Sequence, residues 1–323
     1  MAANDASDHI AETPPYRVVA DGLRFPEGPV ALADGTVLFV EVQGGTLSRV
    51  PTGGGAVEVV AELCPGGHGG ANGAAVGPDG AVYVANNGGF HWSMRPDGRL
   101  MPINPATGDN VPADFAGGWI DRVDLASGEH RVLYRECDGR RFSGPNDLVF
   151  DSTGGFWFTD HGKVRADRWE KGAVYYAAAD GSSVQRRIFP LNGPNGVGLS
   201  PDESTLYVAE THTGRLWAFD LDRPGHPRPV ERGHGGRCVA NTVGHLDSLG
   251  VEADGTVCVA AISQGVLVAA ADGSTQHYVA MPDYACTNIC FGGPDLRTAY
   301  ITLSGCGQLL AVEWPRAGLA LAY

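Results

Sequence analysis

Six short stretches of the chain open on a side chain that carries an oxygen acceptor: Glu27, Asn72, Asn146, Asn195, Asp247 and Asn288. Carboxylate and amide oxygens are ligands for a hard cation. Two carboxylates brought within a few ångströms of each other repel unless a cation or a proton lies between them. A divalent ion is the economical solution, and its two charges would balance one Glu and one Asp. All-oxygen coordination with room for water suits calcium first, with magnesium or manganese as alternatives and zinc a poorer match, since zinc favours His nitrogen and Cys sulfur. Such an ion would polarise an ester carbonyl and acidify a water. Singly, each of these residues has an ordinary reading, because Asn and Asp satisfy turn backbone throughout surface loops. The chemistry therefore depends on whether six residues distant in sequence converge.

The stretches they open share one form. GPNDLVFDSTGGFWFTD begins at Gly144 and GPNGVGLSPDESTLYVAE at Gly193, while EGPVALADGTVLFVE, NGAAVGPDGAVYVAN, DSLGVEADGTVCVAA and NICFGGPDLRTAYIT begin at Glu27, Asn72, Asp247 and Asn288. Each reads as an apolar strand, a turn and a second apolar strand. A turn residue stands seven positions after the leading one in every copy: Asp34, Asp79, Thr153, Asp202, Asp254 and Asp295. The starts are separated by 45, 74, 49, 52 and 41 residues. Strands repeating every 40 to 50 residues or so without a helical pattern mark propeller blades. Further alternating segments follow each copy, so the expected fold is all-β, a six-bladed β-propeller with four antiparallel strands per blade. Closing the ring protects strand edges that would otherwise pair between molecules. Tyr16–Val19 and Leu309–Trp314 are expected to meet in one blade and fasten the circle. Residues 1–15 are expected to be a flexible tail and 16–323 one domain.

In a propeller the first strand of each blade lines the channel, which places the six leading residues in a ring at one mouth. The second strand returns to that mouth and ends at Glu41, Asn86, Asp160, Glu210, Ile262 and Ser304. His161 and His212 follow two of these ends and His91 is similarly placed. One of them could shuttle a proton, and His212 and His161 are the candidates for protonating a leaving alcohol. The 74-residue interval contains an insertion at about 88–118 on the ring's side of the fold, where substrate selection is concentrated. Phe90, Trp92 and Trp119 are expected to wall the channel, with Phe142 and Tyr284 as further candidates for that wall, and with Asn86, Asn87, His91, Asp160 and Asn288 they make up the expected substrate pocket.

FPEGPV, GPNDLVFD with FWFTD, GPNGVGLSPDESTLYVAET and DSLGVEADG resemble, in this order, the blade motifs of the senescence marker protein/gluconolactonase/luciferin-regenerating enzyme family, the regucalcin-like six-bladed propellers. The resemblance spans roughly residues 16 to 315. It implies a single divalent ion in the channel, commonly calcium, held by Glu27, Asn146, Asn195 and Asp247 and supported from behind by Asp147. It further implies lactone hydrolysis, or organophosphate hydrolysis as in the related diisopropylfluorophosphatases. Asp247 could be a ligand that also acts as general base on water, the role favoured here, or could itself attack. A binding propeller around a structural calcium is the non-catalytic alternative.

Composition narrows the partners. The chain has 323 residues, a formal net charge of −14 and 43% hydrophobic residues. That charge argues against nucleic acid or an anionic membrane, both of which select a basic face. No apolar run approaches the roughly 20 residues of a membrane span, and the opening MAANDASDHIAETPPY has no signal-peptide core. The expectation is a cytoplasmic monomer or small homo-oligomer acting on a small lactone or ester. The seven cysteines lack a C-x-x-C pair and are expected to be reduced and buried. GGHGGANG at 66–73 lacks the Lys-Ser/Thr of a phosphate loop and reads as a turn, and no G-x-S-x-G elbow is present.

Overall fold

The second strand of each repeat is apolar at nearly every position, as in TVLFVE, VYVAN and GFWFTD. An alternating strand buries one face, whereas a continuous apolar run needs neighbours on both. The computed structural model, which describes residues 10–64 and 68–323, shows where those neighbours are. Val37 and Phe39 pack with Tyr300 and Leu309 on one side, while Leu38 and Val40 pack with Val82 and Val84 on the other. Tyr83 then meets Phe156 and Phe158, Trp157 meets Leu206 and Val208, and so on around a circle. The core is divided into six apolar interfaces, each between two adjacent sheets.

The sheets are six blades, and their inner strands are Pro26–Ala31, Ala71–Val76, Pro145–Phe150, Pro194–Leu199, His245–Val251 and Cys286–Gly292. Each inner strand contacts the next, and the last contacts the first, which closes a six-bladed β-propeller. In blade six Tyr16–Ala20 pairs antiparallel with Gln308–Glu313, so the two ends of the repeat array meet there. No helix long and apolar enough to cross a membrane occurs among the described residues. Residues 1–9 of the expected tail lie outside the described residues. Ile10–Ala11, assigned to the tail from sequence, instead runs parallel to Tyr278 and Val279 at the edge of blade five. All seven cysteines are free thiols; Cys137, Cys258 and Cys286 are buried, but Cys238 and Cys306 are exposed, against the expectation of burial.

One feature of the inner strands bears directly on the ring. In every blade the pairing between first and second strand slips by a residue at or beside the leading position, between Glu27 and Val30, Ala71 and Gly73, Pro145 and Leu148, Pro194 and Val197, Leu246 and Leu249, and Cys286 and Asn288. A β-bulge re-aims the side chains it contains. Glycine follows the leading residue in three blades because the strands are nearly touching there. A Cβ on Gly28 would lie 2.7 Å from Ala74 N, one on Gly73 2.5 Å from Asn146 O, and one on Gly196 2.6 Å from Leu249 N.

Candidate active site

A cavity of about 800 Å³ lies at the bulged end of the channel. Glu27, Asn72, Asn146, Asn195 and Asp247 line it, which brings together all four residues expected to hold a metal. Each is braced. Glu27 Oε2 accepts from Gly28 N–H (3.1 Å) and from Asn288 Nδ2 (3.0 Å). Asn195 Nδ2 donates to Thr211 Oγ1 (3.2 Å), while its Oδ1 accepts from Ser248 Oγ (3.3 Å). Asn146 Oδ1 is buried with no hydrogen-bond partner. An orphaned buried acceptor is uncommon and marks a place for an absent donor or cation.

The electrostatics agree. Burial pushes the Glu27 carboxyl up to about 7, against the lowering effect of its hydrogen bonds. Asp247 is raised well above the usual carboxylate range, first by burial and then by the Glu27 charge. Asp147 is also raised by burial to about 7, and its Oδ1 accepts from Leu148 N–H (2.9 Å) at the back of the ring. Three buried acids in mutual electrostatic contact carry more negative charge than the protein around them neutralises. Among the described residues no group of three or more His, Cys, Asp or Glu is placed to hold a metal. The donors gathered here are instead two carboxylates and two amides.

The expected pocket divides. Asn87 and Phe90 line the cavity, as do Met101, Pro102, Ile103 and Asn110 of the insertion. Trp92 stands behind the wall, edge-on to Phe25 (5.2 Å) and Phe90 (5.9 Å). Asn288 serves as the brace on Glu27, its own Oδ1 held by Ile289 N–H (2.7 Å). His91 is not part of the wall; its backbone N–H donates to Asn110 O (2.9 Å). Trp119 is on the third strand of blade two, where its Nε1 donates to Asp121 (2.6 Å) and its ring lies under Arg135.

Asn86 and Asp160 also leave the pocket, for a reason common to several blades. The chain entering an inner strand has backbone N–H groups that lack ladder partners, and buried N–H groups are almost always paired. Asp160 accepts from Ser143, Gly144 and Gly162 N–H (2.9, 2.6 and 3.1 Å). Glu41 accepts from Arg24 N–H (2.7 Å) and Glu210 from Asn192 N–H (2.5 Å), while Asn86 accepts from Gly88 N–H (3.1 Å) in the loop that leaves its own strand. Glu41, Asn86, Asp160 and Glu210 therefore cap loops.

His161 and His212 do line the cavity, in edge contact at 4.9 Å. Burial, and then in each case a neighbouring histidine, lowers His161 to about 3 and His212 to about 4. Burial thus favours the neutral imidazole at both positions, a form that can accept a hydrogen bond through one ring nitrogen. His161 Nδ1 lies 3.3 Å from Gly162 O; donation there leaves Nε2 as an acceptor. His245 completes the group. It stands two residues before Asp247, a spacing that places neighbours on one side of a strand, and the sequence reading passed over it. Lys163 was also missed. It is buried among Phe90 (4.3 Å) and Phe115 (4.9 Å), donates to Gly89 O (2.7 Å) and is lowered by burial to about 7. A single Lys in a loop offered no sequence signal.

The insertion spans the mouth. Leu100 N–H donates to Gly305 O (3.3 Å), Tyr284 O–H to Leu100 O (3.2 Å), and Arg99 pairs with buried Asp283 (2.8 Å). Closer to its base, Asn110 exchanges two hydrogen bonds with the backbone of Val164.

Residues 25–305 match the family model described as the SMP-30/Gluconolactonase/LRE-like region. The chain belongs to this family. Among members of known name, it is similar to a gluconolactonase of Zymomonas mobilis, with 27% identity over 93% of this chain and 78% of that protein. A lactonase drp35 of Staphylococcus saprophyticus is 39% identical over 42% of each. The fold resembles a solved gluconolactonase from Xanthomonas campestris (TM-score 0.69, 24% identity, 92% and 89% coverage). It also resembles a solved regucalcin, a calcium-binding protein from Agrobacterium tumefaciens (TM-score 0.68, 20% identity, 97% and 99% coverage).

Proposed function

We propose that the chain is a hydrolase that opens lactones or related cyclic esters at the Glu27, Asn146, Asn195 and Asp247 ring. The observation that carries this reading is the convergence of two charged acids and an unpartnered amide oxygen on the floor of one cavity, in a chain whose relatives include proteins named gluconolactonase and lactonase. The donor set fits one hard divalent cation: all four ligands would be oxygens, and the charge of Glu27 and Asp247 would be balanced. Calcium is the first choice. When bound, such an ion supplies polarisation of the ester carbonyl and a water acidified toward neutrality.

The protein's own groups do the rest. Asp247, on the floor beside Asn195, takes a proton from the attacking water at a carboxylate oxygen as the water oxygen bonds to the carbonyl carbon. The ring C–O bond then breaks, and the same proton is returned to the departing alkoxide, so that one hydroxy acid leaves with no net change in the enzyme. Asn288 and Gly28 N–H hold Glu27 in orientation, and Asp147 fixes the neighbouring strand. His161, His212 and His245 are placed to hydrogen-bond the ester or alkoxide oxygens in neutral form. Phe25 and Phe90 keep bulk water from the carbonyl.

The test is metal content of the purified protein, followed by assay of a lactone and phosphotriester panel before and after chelation. Lactone hydrolysis that vanishes on chelation and returns with calcium is expected. Full activity in metal-free protein overturns the reading, and phosphotriester turnover without lactone turnover moves the substrate class.

A further inference from the structure

At about 800 Å³ the cavity is near the top of the roughly 300–1,000 Å³ range of small-molecule sites, and it exceeds what a bare lactone ring fills. Its floor and wall differ in chemistry. Above the polar ring the wall is built from Phe25, Phe90, Ile103, Trp169, Val243 and Tyr284. Trp169 stacks on His212 at 4.5 Å and 19° yet is 56% exposed at the mouth, and Val243 is 94% exposed. Large apolar groups left open around a cavity mark a surface awaiting a ligand. Phe25 is held there at some conformational cost: it has φ of 62°, a left-handed conformation that bulky residues rarely adopt.

Three polar side chains of the wall are already engaged. Lys163 Nζ donates to Gly89 O, Asn110 Oδ1 accepts from Val164 N–H, and Arg95 pairs with Asp97 (3.4 Å) while lying over Tyr284. Gln264 Oε1 is buried without a partner. A polyhydroxylated ring placed against this wall would exchange the water on several hydroxyls for hydrocarbon, since the histidines lie at the floor and Gln264 Oε1 is the unpartnered acceptor beside the apolar groups. Unpaired polar groups are penalised on burial, whereas an aromatic or alkyl group gains.

We infer that the substrate is a lactone whose ring carries an aromatic or branched alkyl substituent, rather than a sugar lactone. This rests on the lactonase reading, so the test separates the two. Binding of non-hydrolysable lactams to the calcium-loaded protein is measured by calorimetry, using δ-valerolactam, its phenyl-substituted derivative and a polyhydroxylated gluconolactam. The phenyl compound is expected to bind at least about tenfold more tightly than the gluconolactam. Trp169→Ala and Phe90→Leu should each reduce that preference about fivefold. Equal or tighter gluconolactam binding, no measurable binding of the phenyl lactam, or a preference untouched by both substitutions overturns the inference. The corresponding lactones are assayed in parallel. If none is hydrolysed while the phenyl preference stands, the lactonase reading fails and the wall assignment survives; if gluconolactone is hydrolysed in preference, the wall assignment fails and the lactonase reading survives.

Discussion

Glu27 and Val30 are three residues apart on one strand and belong to opposite ends of the channel. At the Glu27 end all six inner strands carry a bulge, and their side chains line a polar floor. Beyond the bulge the ladder is regular, with Val30 opposite Leu38, Val197 opposite Val208 and Leu249 opposite Val259. That end encloses a smaller space of about 230 Å³, lined in part by residues 319–323. Leu319 N–H donates to Val251 O (2.8 Å) and Tyr323 packs edge-on to Phe150 (6.0 Å). That segment is moored by Arg316, paired with fully buried Glu252, which also accepts from Trp314 Nε1 (2.7 Å). The contrast teaches that the same strands make a floor for chemistry where pairing is interrupted and a seal where it is not.

The largest effect that would sharpen this contrast is at Asp247. Asp247→Asn should lower kcat on a lactone by about 10³-fold through loss of the base, with a melting temperature close to the parent's. Near-normal turnover in that variant would remove Asp247 from the mechanism.

Next is the charge of the floor. In metal-free protein Glu27 and Asp147 titrate at about 7, above their ordinary 4.5 and 3.8. A carboxyl with a raised folded-state value adds stability in its protonated form, so that stability is present below about 4 and is lost as pH climbs to about 7. Chelated protein should therefore melt lower at pH 7.5 than at pH 5. Calcium at a hundred times its dissociation constant should restore about 2.7 kcal/mol, an effect abolished by Glu27→Gln. A melting curve indifferent to both pH and calcium would break the account of the floor.

Smaller again is Gly73→Ala. Its Cβ would press on Asn146 O at 2.5 Å, and an overpacking cost of about 1–3 kcal/mol is expected from denaturant titration, together with weakened calcium binding. The mildest change belongs to the sealed end. Leu319→Ala should cost about 1 kcal/mol, since Leu319 is half-buried, and should leave kcat and calcium affinity unaltered. A loss of turnover there would show that the two ends are coupled.

Much of the fold was legible because a propeller repeats itself. Six copies in one register, each with a turn residue seven positions on, leave little choice of architecture. The four ring residues were legible for the same reason, being at equivalent points of the repeat. Asn86 and Asp160 were misread because strand alternation says which end a side chain reaches but not whether loop N–H groups will claim it first. Trp119 was misplaced for a different reason: the insertion returns to the blade before that residue, which starts the third strand of the sheet. Lys163 and Phe25 come to the cavity through a loop path and a left-handed turn that carry no periodic signal, whereas His245 heads an inner strand two residues before Asp247.

By itself the sequence determined the number of blades, where the ring closes, and which oxygens stand at the head of each inner strand, since these follow from periodicity and local turn chemistry. Only the tertiary structure decided that the bulges turn those oxygens into one cavity, that a second set of acids caps backbone instead, and that the space above is walled in hydrocarbon. Such outcomes depend on contacts between residues tens to hundreds of positions apart, where competition for a hydrogen bond or a packing site is settled by proximity in space.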